Sequence, residues 1–231
     1  MTLYMKTVIL SDLHFSGKFD EKKYNFLVNI IKPADKVILN GDLWDSWFVD
    51  FNGFVTSEWK RLFPLLLSKN TVYLNGNHDP KYKCDERVNL FCVENSDKYV
   101  EESNGVKFYI EHGDKLVEGK QKPIIKVYGF IIHLVGRTPI RNFMHHFIHF
   151  VETVGFKLIG PHFESRSRLG LEDNLLIKKL KSPNEWLVNG HTHFNELDHE
   201  VKYANSGFII KGYATYLIIE NGEIRLIEGS Y

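Results

Sequence analysis

Short apolar runs recur along the chain, and each breaks at once into a turn crowded with polar side chains. Val8-Ile9-Leu10 runs into Ser11-Asp12-Leu13-His14, and Val37-Ile38-Leu39 into Asn40-Gly41-Asp42-Leu43-Trp44-Asp45. Thr71 to Leu74 closes on Asn75-Gly76-Asn77-His78-Asp79, and Phe108-Tyr109-Ile110 on Glu111-His112-Gly113-Asp114. Trp186-Leu187-Val188 ends in Asn189-Gly190-His191-Thr192-His193. Unbroken, β-branched runs of this kind predict buried strands. Between the first three, two stretches show helical spacing instead. Asp20 or its neighbour caps a helix to about Ile31, with Tyr24, Leu27, Val28 and Ile31 in step, and Pro33 stops it. A second helix is expected over about 56–68, carrying Trp59, Leu62, Phe63 and Leu66, with Pro64 predicting a kink or break. The first third therefore predicts a βαβαβ unit with right-handed crossovers.

From residue 87 the pattern changes. Arg87 to Val93 and Lys98 to Glu102 read as short strands, and Asn104-Gly105 as a hairpin turn into Val106 to Glu111. Glu196–Tyr203, Phe208–Ile210, Tyr213–Ile219 and, after Asn221-Gly222, Glu223–Ile227 read as further strands. A parallel half joined to antiparallel pieces predicts an α/β fold of two mixed sheets packed together. Residues about 119–183 interrupt it with a helical, aromatic and basic pattern. Over 119–170 eight basic residues stand against Glu152 and Glu164, an excess of six. The expectation is one domain over 1–231 with a helical lid insertion at about 119–183, both of whose ends spring from site-forming loops.

Composition narrows the class. Hydrophobic content of 43% and charged content of 25% in 231 residues suit one globular domain, and zero formal net charge gives no field toward nucleic acid. No nucleic-acid partner is expected. Cys84 and Cys92 are two thiols without a C-x-x-C spacing, read as free cysteines. The amino-terminal segment lacks an h-region and no run of 18 apolar residues exists, so a cytoplasmic protein is expected. Arg137 and Arg141 among apolar residues of the insertion allow peripheral contact with an anionic lipid surface. Oligomeric state is open.

The five turns carry the chemistry. Asp12-x-His14 or Gly41-Asp42 alone could be turn caps, but five strand ends with nitrogen and oxygen ligands predict one site at the carboxyl edge of a sheet. Asp12, His14, Asp42, Asn77, His112, His191 and His193 are seven candidate metal ligands, too many for one tetrahedral zinc site. Shared between two divalent ions bridged by Asp42, they leave positions for water and substrate. Imidazole, carboxylate and amide oxygen without thiolate favour Mn²⁺ first, with Fe or Zn²⁺ as alternatives.

D-x-H, G-D-x-x-D, G-N-H-D, H-G-D and G-H-T-H in this order resemble the calcineurin-like metallophosphoesterase superfamily. The resemblance covers residue 7 to about 219 apart from the insertion. It implies a four-layer α/β/β/α sandwich, with Asp12, His14, Asp42 and His193 on one metal and Asp42, Asn77, His112 and His191 on the other. His78 would contact the phosphoryl oxygen or protonate the leaving group, and Asp45 would orient it. The run Asp42 to Phe48 and the helical insertion are also similar to UDP-2,3-diacylglucosamine hydrolases, which cut a pyrophosphate in a lipid precursor. The expected function is thus hydrolysis of phosphate esters or phosphoanhydrides, of phosphodiesterase or pyrophosphatase type. The substrate would be an anionic, phosphate-containing small molecule or a lipid-linked one. Two rivals remain: a nuclease on the same scaffold, or a metal-free protein-binding scaffold like the retromer subunit that resembles these enzymes.

Overall fold

In the computed structural model of the chain, the described residues are 5–117 and 184–231, with positions 154, 155, 158 and 160 between them. The apolar runs form strands as expected: β1 (Thr7–Leu10), β2 (Lys36–Asn40) and β3 (Val72–Leu74) are parallel neighbours. β4 (Glu94–Ser96) adds to β3, while β11 (Tyr213–Glu220) pairs antiparallel with β1, β10 (Ile209–Ile210) and β12 (Glu223–Ser230). This gives a seven-stranded mixed sheet. A second sheet of five runs β5 (Lys98–Ser103), β6 (Val106–Glu111), β7 (Glu185–Asn189), β9 (Tyr203–Asn205) and β8 (Glu196–Asp198).

The period of two sorts side chains between two cores. Val8, Leu10, Val37, Leu39, Tyr73 and Ile218 face the helices, whereas Ile9, Ile38, Val72, Leu74, Leu217 and Ile219 face the second sheet and meet Phe108, Ile110, Trp186 and Val188. Burial on both faces is why these strands read as unbroken apolar runs. Away from the candidate site, Thr7 and Lys36 join the sheets through Glu101: Thr7 Oγ1 donates to its Oε1 at 2.8 Å and Lys36 Nζ to its Oε2 at 2.7 Å.

The helices cover the seven-stranded sheet. α1 (Glu21–Ile31) is capped by Asp20, whose carboxylate accepts from the Lys22 and Lys23 amides. The second expected helix is three pieces: α2 (Phe51–Thr56), a 3-10 turn over Glu58–Leu62 begun at Ser57, and α3 (Phe63–Ser68). Pro64 opens α3, where its missing N–H costs nothing. Two strand expectations fail. Arg87 to Val93 is largely a 3-10 turn, Glu86–Leu90, capped by Asp85, with Val88, Phe91 and Cys92 turned into the core. Glu196–Tyr203 is two antiparallel strands, β8 and β9, joined by a turn in which Lys202 has φ 54°.

The expected lid falls on residues outside those described, as does the helical layer expected over the five-stranded sheet. Its attachment points are described, and they differ from expectation. β6 and β7 are parallel neighbours, so the chain leaves from α4 (Asp114–Val117) at the carboxyl edge and returns at Asn184 at the opposite edge. There the Asn184 carbonyl accepts from the Lys107 amide at 2.9 Å. Only one end of the insertion springs from a site-forming loop. Among the described residues no helix is long and apolar enough to cross a membrane, and Cys84 and Cys92 are both free thiols.

Candidate metal centre

Parallel pairing of β1 with β2 and of β2 with β3 delivers three polar turns to one edge, and parallel β6 and β7 deliver two more across the inter-sheet core. The turns are bonded to one another. Asp12 N donates to Gly41 O at 3.1 Å, His14 N to Asp42 O at 2.9 Å, His78 N to Asp42 Oδ1 at 2.9 Å and His191 N to Asp12 Oδ2 at 3.0 Å. Five of the candidate ligands adopt left-handed backbone: Asp12 (φ 53°), His14 (46°), Asp42 (53°), His191 (64°) and His193 (55°). Each costs on the order of 1 kcal/mol for an L-residue, a strain that concentrates where a site is built. Close approach also requires glycine at two positions. A Cβ on Gly76 would stand 2.2 Å from Asp42 Oδ1, and one on Gly41 would stand 2.2 Å from His112 Nδ1.

The side chains converge. His193 Nε2 lies 3.1 Å from Asp12 Oδ1 and 3.3 Å from His14 Nε2. Asp42 Oδ2 lies 3.9 Å from His14 Nε2 and 3.3 Å from His112 Nε2. The His112 and His191 rings are 5.2 Å apart. Asp12, His14 and His193 form one group with ligand atoms mutually within 4.8 Å, and Asp42, His112 and His191 form a second. Asp45 joins a third with His14 and His78: its Oδ1 is 3.0 Å from His78 Nδ1 and its Oδ2 is 3.4 Å from His14 Nδ1. Asn77 is exposed at the apex of its turn, and no hydrogen bond among the described residues holds its amide. Of the two tryptophans in the Asp42 to Phe48 run, Trp44 is fully buried, while Trp47 is 38% exposed with its ring centroid 4.6 Å from that of His78.

These groups fit divalent ions. Three carboxylates and several imidazoles are buried together, a costly arrangement without a cation to share. Asp12 Oδ1 and His112 Nε2 are buried without a well-formed hydrogen bond among the described residues, each meeting another ligand group instead, His193 Nε2 at 3.1 Å and Asp42 Oδ2 at 3.3 Å. His112 Nδ1 is 2.9 Å from the Asn40 carbonyl, which can only accept, so Nδ1 carries the proton and Nε2 faces the centre. The donor set is nitrogen and oxygen without thiolate, as suits Mn²⁺, Fe or Zn²⁺.

In the metal-free protein protons partly take the cation's place. Burial alone would lower His14, but Asp45, Asp42 and Asp12 lift it to about 9. Burial likewise opposes, and Asp42 and Asp12 outweigh it, in lifting His112 to about 10. Burial would raise Asp12, yet His193 and His112 hold it at about 2, and imidazoles hold Asp42 and Asp45 low as well. The raised histidines contribute stability fully below their ordinary 6.5 and lose it as pH rises through about 9 and 10. The lowered Asp12 contributes above its ordinary 3.8 and loses that as pH falls to about 2. Ion uptake must displace the His14 and His112 protons. Mn²⁺ affinity should therefore climb between pH 6 and 8.5, with about two protons released near pH 7. Calorimetry in buffers of different ionisation enthalpy measures this, and an affinity independent of pH would contradict it.

Two supporting residues carry no ligand role in the sequence reading. Asp79 accepts from Gly76 N at 2.7 Å, Asp42 N at 3.0 Å and Leu43 N at 2.6 Å, tying two turns together. Burial, and then Asp42, push its carboxyl up to about 6, against the pull of the Gly76 amide. Its place in the Gly76-Asn77-His78-Asp79 turn was the available signal. Asn205 donates to Gly190 O at 2.8 Å and Thr192 Oγ1 at 3.1 Å, fixing the turn that carries His191 and His193. Nothing in the motif spacing marked it. Asp79→Asn should set an amide NH₂ against a buried backbone N–H and cost about 2 kcal/mol, lowering Tm by roughly 6 °C. An unchanged Tm would remove the strut role.

A family model described as calcineurin-like phosphoesterase matches residues 5–195. Among solved structures, the chain is similar to an archaeal phosphodiesterase at 20% identity, covering 97% of this chain and 99% of that one, with a TM-score of 0.51. It is also similar to zinc-complexed Vps29 from Entamoeba histolytica (11% identity, 98% and 99% covered, TM-score 0.48). A third likeness is to the phosphoesterase YfcE from E. coli (15% identity, 96% and 98% covered, TM-score 0.47). No curated protein sequence matches the chain. At 20% identity the archaeal phosphodiesterase speaks for the fold alone, and the family model for the lineage. With its strand-end turns bringing Asp and His residues together at one edge, the chain belongs to the calcineurin-like phosphoesterase family, metal-dependent hydrolases of phosphoester bonds.

Proposed function

We propose that this enzyme is a dinuclear hydrolase of phosphodiesters or phosphoanhydrides. Asp12, His14, Asp42 and His193 would hold one ion, and Asp42, Asn77, His112 and His191 the other. The observation that carries this reading is the position of Asp42, whose Oδ2 stands between His14 Nε2 at 3.9 Å and His112 Nε2 at 3.3 Å. A carboxylate between two imidazole groups is what a bridge requires. Mn²⁺ is the favoured ion on ligand chemistry, since no sulfur is present and oxygen donors are shared with nitrogen. When bound, a pair of such ions supplies Lewis acidity toward phosphoryl oxygens and lowers the pKa of water.

The protein's own groups do the rest. Asp45 holds His78 through Nδ1, which leaves Nε2 as the nitrogen that hands a proton to the departing oxygen. Trp47 covers one side of that ring. Asn77 is exposed in the turn next to His78, and its amide oxygen would be the one neutral oxygen donor of the set. The basic excess over 119–170 suits an anionic substrate larger than the scissile phosphate, including a nucleotide-linked lipid. A metal-free scaffold is disfavoured because every position of the motif set is filled. The experiment is a screen of purified, Mn²⁺-loaded protein against aryl phosphomonoesters, aryl phosphodiesters, nucleoside-diphosphate conjugates and single-stranded oligonucleotides. Turnover is expected on diesters or anhydrides. Activity confined to oligonucleotides would favour the nuclease, and no activity in a metal-loaded protein would favour the scaffold.

A further inference from the structure

α1 buries one cation. Lys23 lies on the core-facing side with Leu27 and Ile31 and is 5% exposed, a placement lysine rarely takes. Among the described residues no carboxylate forms an ion pair with it. Its Nζ instead donates to the Leu13 carbonyl and stands 5.1 Å over the Phe15 ring. Leu13 is the single residue between Asp12 and His14, both left-handed. The rest of that turn is held from the side, by His14 N on Asp42 O and Phe15 N on Leu43 O, each at 2.9 Å. The Leu13 carbonyl points the other way, into the core, where an unpaired oxygen would favour relaxing the turn. Lys23 is the group that meets it. Neighbouring turns are likewise bonded through their backbone, Asp79 accepting from the Asp42 and Leu43 amides and Asn205 donating to the Gly190 carbonyl.

Keeping an ammonium there works against the fold. Burial pushes Lys23 down to about 7, with only Asp20 opposing. An apolar side chain of the same length would pack against Phe15 without that cost. A lysine at this position therefore serves the turn better than it serves the core.

We infer that Lys23 is a positioning residue for the metal centre: by holding the Leu13 carbonyl it keeps the strained turn closed, with Asp12 and His14 converged on His193. The inference rests on the dinuclear reading for the identity of what these ligands hold, but the tether itself is independent of it. Lys23→Met keeps the stem and removes the donor. In the metal-free protein, hydrogen exchange at the His14 and Phe15 amides should accelerate about tenfold in the variant while the Val37 and Ile38 amides stay unchanged. Tm should hold or rise. Mn²⁺ affinity, titrated calorimetrically against the parent, should fall roughly tenfold or more, as for other residues that orient ligands. Parent-like exchange at His14 and Phe15 would overturn the inference. So would a lower Tm with exchange faster throughout α1 and β1, which would make Lys23 an ordinary core residue. A parent protein that takes up no Mn²⁺ would instead contradict the dinuclear reading, while the exchange experiment still decides on Lys23.

Discussion

Asp42→Asn should bind one divalent ion in place of two and lose at least about 10³-fold in turnover, some 4 kcal/mol of barrier. The Asp42 carboxylate does two jobs at once. Its Oδ1 accepts the His78 amide at 2.9 Å, and its Oδ2 lies 3.3 Å from His112 Nε2 on one side and 3.9 Å from His14 Nε2 on the other. An amide oxygen can keep the first job, so the turn should stay in place and the fold should survive. It cannot keep the second. A neutral amide offers one weakly basic oxygen and an NH₂ group, where a bridge needs charge on both sides. Metal content by elemental analysis and turnover on an aryl phosphodiester would be measured together. Near-normal turnover with both ions retained would dismiss the bridge.

His78→Ala is expected to leave metal content intact and to slow hydrolysis of substrates with poor leaving groups by roughly 10²–10⁴-fold. His78 is buried beside the centre, yet the carboxylate that meets its ring is Asp45 at 3.0 Å, and that contact uses Nδ1. In the proposed mechanism, Asp45 at Nδ1 and the Trp47 ring beside it would leave the second ring nitrogen as the proton donor. Leaving groups that are already stable anions, such as nitrophenolates, need little protonation and should lose less. An equal loss on both classes would reassign His78 to charge stabilisation alone, and loss of an ion would make it a ligand. Asp45→Asn should reproduce part of the His78→Ala pattern. It should also weaken ion binding on the His14 side, because Asp45 Oδ2 lies 3.4 Å from His14 Nδ1.

Much of this site was legible in the order of residues alone. An apolar run followed at once by Asp, His or Asn is a poor way to end a strand for packing and a good way to end it for coordination. Because the strands are buried on both faces, their runs carried no alternation to confuse the reading. What stayed hidden depends on three dimensions. The left-handed backbone at Asp12, His14, Asp42, His191 and His193 follows from bonds between turns distant in sequence. Asn205 lies on β9 and acts on a turn reached only through parallel pairing with β7. Lys23 recurs at four-residue spacing with Leu27 and Ile31, so its burial was readable, but helical periodicity is ordinarily traced through apolar residues. Arg87 to Val93 misled because Val88, Phe91 and Cys92 satisfy a short strand as well as a 3-10 turn, and the Asp85 cap decides between them. The insertion misled for a topological reason. Lying between two ligand turns in sequence does not place both ends at the site when β6 and β7 run parallel.

Occupancy and chemistry can be joined in one titration. Metal-free protein would be reconstituted with Mn²⁺ in steps of a fraction of an equivalent, and turnover of an aryl phosphodiester followed at each step. If Asp42 unites two ions into one working centre, activity should stay low through the first equivalent, rise steeply through the second and then level off. Full activity at one equivalent, or Mn²⁺ uptake to two equivalents without any hydrolysis, would contradict the dinuclear hydrolase.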